Sequence, residues 1–63
     1  MEEVLAGIQE AIEEEIRAQK KYKDLKEKVE GDKAKALFDQ LIKDEKGHEE
    51  LLRSRYEAIK SKM

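Results

Sequence analysis

Apolar residues return every three or four positions along most of the chain, the spacing of one face of a helix. In the first half, Met1, Ile8, Tyr22 and Val29 stand seven apart, with Glu15 in line between them. Val4, Ala11, Ala18 and Leu25 run beside them, and Leu5 and Ile12 widen the stripe. After Gly31 the pattern resumes with Phe38, Leu52 and Ile59, now with Glu45 in line, beside Ala34, Leu41 and then His48. Leu37, Ile42, Leu51 and Tyr56 flank this second stripe, and Arg55 is a charged seam residue without an evident role. There is no proline, and from Glu2 to Glu30 nearly every residue is a good helix former. Gly31 is placed to end one helix and Asp32 to cap the next. The spacing predicts an all-α, single-domain chain: a helix over about 2–30, a turn at 31–32 and a helix over about 33–61. A turn this short makes the two an antiparallel hairpin.

A lone hairpin leaves its apolar stripe wet, and 63 residues without cysteine can neither build a thick core nor staple one. A second copy is the expected remedy, giving a homodimer and a four-helix bundle. Charge narrows the partners further. Acidic and basic residues nearly cancel, 16 against 14, and no basic patch carries interleaved aromatics, so nucleic acid is not expected. No apolar run approaches the roughly 20 residues of a membrane span, and the opening MEEV is unlike a signal peptide, so the expected setting is the cytoplasm.

The candidate chemistry lies where polar residues interrupt the stripe. Glu45 and His48, three apart, share one helix face and can point at one metal ion. Glu15 lies 16 residues before Gly31, and Glu45 and His48 lie 14 and 17 after it. At 1.5 Å per residue, all three sit roughly 21–26 Å from the turn, at one level of the hairpin. One hairpin thus offers Glu, Glu and His. That is half of the ferritin-like di-metal set, in which two helices each give a Glu and two others each give Glu-x-x-His. A homodimer supplies Glu15, Glu45 and His48 twice, and four carboxylates balance two divalent cations. A two-fold axis through the site would put the two turns at opposite ends. Without cations, the same dimer would bury four carboxylates together at a cost in desolvation and repulsion. Gln19 and Glu49 flank the stripe and could contact the ligands, although facing solvent is the more ordinary role, and Glu13 and Glu14 read as solvated surface.

The segment Glu15 to Tyr22, EIRAQKKY, resembles the first-helix motif of rubrerythrins, a Glu ligand followed seven residues later by Tyr. Phe38 with Glu45-Lys46-Gly47-His48 resembles the second-helix motif, Phe…Glu-x-x-His. The likeness covers nearly the whole chain, but only one of the two hairpins of a rubrerythrin bundle. It implies Glu15, Glu45 and His48 as iron ligands, with Glu45 bridging, and Tyr22 contacting the ligands rather than the metal. It also implies two iron ions per dimer, an external electron donor, and reduction of peroxide or dioxygen. Two features depart from the family. Ala18 stands where an additional carboxylate usually lies, and a chain without cysteine contains no rubredoxin module.

The residues alone leave manganese or a mixed pair open beside iron, since Glu and His ligation suits both. They also leave two other functions open: iron binding or ferroxidase action without peroxidase turnover, and a metal-free helical dimerisation module. An aromatic at helical spacing is also a common core residue, which is the alternative for Tyr22.

Overall fold

The computed structural model describes residues 1–63 and contains two helices, α1 (Glu2–Lys28) and α2 (Asp32–Lys60), packed against each other as an antiparallel hairpin. Both ends of the turn lie within two residues of the expected boundaries. Val29, with φ −93° and ψ 153°, leaves the helix in an extended conformation while its N–H still bonds the carbonyl of Leu25. Gly31 then adopts φ 95° and ψ 139°, a combination that costs residues with a Cβ. The tight connection depends on glycine at this position.

One detail of the turn differs from expectation. Asp32 does not cap α2 from outside: Gly31 is the N-cap, no side chain caps the helix, and Asp32 is its first residue. Its carboxylate instead lies in the first turn, where the helix dipole favours negative charge. The α1 end is closed by Lys35, whose Nζ donates to the carbonyl of Lys26 at 3.2 Å, and by an exposed Lys26–Asp39 ion pair at 2.6 Å.

Packing follows the stripes. Leu5, Ile8, Ile12, Glu15, Gln19, Tyr22 and Leu25 are among the covered positions of α1; Phe38, Leu41, Ile42, Glu45, Glu49, Leu52, Tyr56 and Ile59 answer them on α2. Only Ile12, at 8% exposure, is buried. The molecule measures 49 × 14 × 9 Å, a slab one helix deep, whereas a stable domain needs a second layer against its apolar face. That face is open. Leu37, Leu41, Asp44, His48, Leu51 and Arg55 follow one another at helical spacing along α2, and Leu37 and Leu51 remain 58% and 54% exposed. No helix is long and apolar enough to cross a membrane.

Candidate metal centre

Glu15 comes from the middle of α1, and Glu45 and His48 from successive turns of α2. Because the helices are antiparallel and joined by a short turn, equal distances from the turn become equal heights, and the three side chains meet. One ligand atom from each lies within 4.8 Å of the others. His48 Nδ1 is 3.5 Å from Glu15 Oε2 and 3.9 Å from Glu45 Oε1. The two carboxylates are mostly covered, at 21% and 20% side-chain exposure, whereas the imidazole is 59% exposed. His48 thus reaches the pair from the open face.

Glu15 Oε2 is buried and lacks a hydrogen-bond partner. The imidazole at 3.5 Å stands at the edge of bonding distance, and Glu45 can share a hydrogen bond with Glu15 only when one carboxyl carries a proton. That shared bond is the main reason the Glu15 carboxyl is raised above its ordinary value of 4.5; desolvation and the charge of Glu45 add to it, and His48 opposes it. A carboxylate with an unused oxygen, a second carboxylate beside it and an imidazole nitrogen facing both suit a divalent cation. The cation would satisfy the buried oxygen and replace the proton. Hard oxygen donors with one imidazole fit iron or manganese.

The surroundings agree with expectation in part. Tyr22, seven residues on from Glu15, stacks its ring on Phe38, seven before Glu45, with centroids 6.3 Å apart and planes tilted by 33°. The pair forms an aromatic layer next to the acidic one on the side of the turn, so the ring of Tyr22 has a packing role. Gln19 and Glu49 do not face solvent as expected. Gln19 Nε2 donates to Glu49 Oε1 across the hairpin at 2.8 Å, and Arg53 Nε donates to Glu49 Oε2 at 2.8 Å. These bonds, that from Gln19 first, lower the Glu49 carboxyl below its ordinary value and hold both its oxygens. Glu49 is therefore occupied elsewhere, although it lies next to His48 in sequence. The signal was available: side chains lean toward the N-terminus of their own helix, so in an antiparallel pair Gln19 and Glu49 lean toward each other.

Two helices presenting Glu on one and Glu-x-x-His on the other thus converge at one height on a possible carboxylate–histidine metal site. The chain belongs to the rubrerythrin family, whose family model matches residues 2–62. Members of this family generally bind iron. No curated protein and no solved structure matches the chain.

Proposed function

We propose that two copies of this hairpin form a four-helix bundle and share a di-metal site, di-iron by preference, that reduces peroxide or dioxygen. The observation that carries this reading is the convergence of Glu15, Glu45 and His48 on an open apolar face, with Glu15 Oε2 buried and unpartnered. Three donors from one chain leave a cation under-coordinated, and a second copy across the open face doubles them. The same contact would supply the missing core layer, so site and fold have one requirement in common.

Glu15, Glu45 and His48 of each copy would hold the metal pair. When bound, two ferrous ions supply one electron each, enough to cleave the O–O bond of peroxide and, with two protons, give two waters. The chain's own residues set the conditions for that step. Glu15 would give up its proton as the cations bind, and its carboxylate would help to balance the added charge. The Tyr22–Phe38 layer keeps water from the turn side of the site. The clasp between Gln19, Glu49 and Arg53 fixes α1 against α2 beside the ligands. Return to the reduced state needs an external electron donor, and a cytoplasmic setting with soluble reductants suits this requirement.

Stopped-flow oxidation of anaerobically ferrous-loaded protein tests the reading. Peroxide should oxidise the wild type rapidly, and Glu45→Ala should slow that step by about a hundredfold or more. An equal rate in the variant would remove the proposal. Oxidation by dioxygen alone, with ferric iron released to an acceptor, would point to ferroxidase action.

A further inference from the structure

Two potential donors flank Glu45 on α2, and the hairpin treats them differently. With about 100° between successive residues of a helix, His48 falls roughly 60° to one side of Glu45 and Glu49 roughly 40° to the other. Side chains three and four residues apart are neighbours, so either can approach an ion held by Glu45. His48 faces the acids, its Nδ1 3.5 Å from Glu15 Oε2 and 3.9 Å from Glu45 Oε1. Glu49 and its partner Gln19 stand at the same height. Gln19 lies 12 residues before Gly31 and Glu49 lies 18 after it, and their mean distance from the turn, 15 residues, is that of Glu15 and Glu45. Yet the Glu49 carboxylate is not among the donors that gather within 4.8 Å of one another. Gln19 Nε2 donates to its Oε1 and Arg53 Nε to its Oε2, each at 2.8 Å, and the side chain is only 18% exposed. A mostly covered carboxylate, one turn from a candidate ligand, is thus committed to two other partners.

We infer that Gln19 and Arg53 withhold Glu49 from the cation, and that this restraint sets which ions the site accepts. The inference rests on the metal-site reading and specifies its selectivity. Donor type and number decide the matter. Calcium takes about 6–8 oxygen ligands at roughly 2.3–2.6 Å, so each added carboxylate favours it. An imidazole beside few carboxylates suits iron, cobalt or zinc better. Glu49, once free, would add a third carboxylate from the same chain and move the site toward all-oxygen coordination. Charge argues the same way. Glu15 and Glu45 from two copies already balance two divalent ions, and two more carboxylates would leave an excess of negative charge at the centre. Arg53 instead neutralises Glu49 where it stands, and Gln19 ties it across the hairpin.

The test uses the full chain and two probe ions, cobalt and calcium, titrated separately into metal-free protein by calorimetry. Wild type should favour cobalt. In Gln19→Leu combined with Arg53→Leu, the ratio of cobalt to calcium affinity should fall by about tenfold to a hundredfold, the range over which partners of metal ligands act. Adding Glu49→Gln to that pair should restore the wild-type ratio, because the freed carboxylate is gone. A general loosening of the hairpin would not be repaired by a third substitution. The visible spectrum of bound cobalt should change in the double variant and return in the triple. Circular dichroism checks that the helices remain, and if the pair does not fold, Gln19→Leu and Arg53→Leu singly should each lower the ratio. A wild type that prefers calcium, an unchanged ratio in folded variants, or a fall that persists after Glu49→Gln overturns this inference alone. A wild type that does not bind cobalt overturns the metal site and this inference together.

Discussion

With no cation beside it, Glu15 keeps its proton to higher pH than an isolated glutamate, because it shares a hydrogen bond with Glu45, is partly desolvated and feels the charge of Glu45. The folded-state value is raised above the unfolded one, so the stability this group contributes is fully present below the ordinary carboxylate range. It is lost as pH rises through the raised value. Urea unfolding of the metal-free protein should therefore show stability falling as pH rises from about 4.5 toward neutrality. Glu15→Gln should remove that fall, and a divalent metal should reverse it in the wild type. A flat profile in this window would mean that the two carboxylates are not in contact. Glu49 has the opposite sign. Its value is lowered by Gln19 and Arg53, so its contribution is present above the ordinary range and lost as pH falls through the lowered value. In Gln19→Leu the Glu49 carboxyl should titrate closer to its ordinary position, which carbon-detected NMR of the side chain would read. At this scale Glu15, Glu45 and His48 were legible as polar interruptions of an apolar stripe. The Gln19–Glu49 bond does not follow from stripe membership; only the lean of the two side chains toward each other points to it.

The helices themselves were legible almost to their ends, since helix formers, a period near 3.6 and a single glycine between two stripes leave few other folds open. Asp32 was misplaced by one position because the unusual φ of Gly31 lets the glycine itself serve as the N-cap. Nothing lies within 4 Å of where a Cβ on Gly31 would sit, so the obstacle to a side chain there is conformational rather than steric crowding by neighbours. Gly31→Ala should cost about 1–3 kcal/mol in thermal or urea unfolding while leaving helix content intact. An unchanged midpoint would show that the turn relaxes into another conformation. On α2, Leu37, His48 and Leu51 lie on the open face, and the two leucines stay more than half exposed. Leu37→Asp together with Leu51→Asp should weaken self-association by about a hundredfold or more, since each replaces a leucine whose burial is worth roughly 1.5–3 kcal/mol. If the dimer were as tight in that double variant, its interface would lie on another face.

For the whole molecule, one buried residue and a thickness of 9 Å describe a single layer of two helices with an uncovered face. A hairpin this thin has little to hold it together as a monomer, and its candidate metal ligands sit on the surface it would need to cover. Folding, dimerisation and metal binding are thus expected to be linked, each strengthening the others. One chain's stripe says that an apolar face needs a cover, and the placement of Glu15, Glu45 and His48 at one level, expected from the sequence and found in the hairpin, argues for another copy of the same chain. The most direct measurement is native mass spectrometry of protein purified without added metal, paired with elemental analysis. The account predicts a dimer holding two metal ions, with both ions lost and the dimer weakened in Glu45→Ala. A metal-free dimer of unchanged stability in chelator, or a monomer that binds its own metal ion, would contradict it.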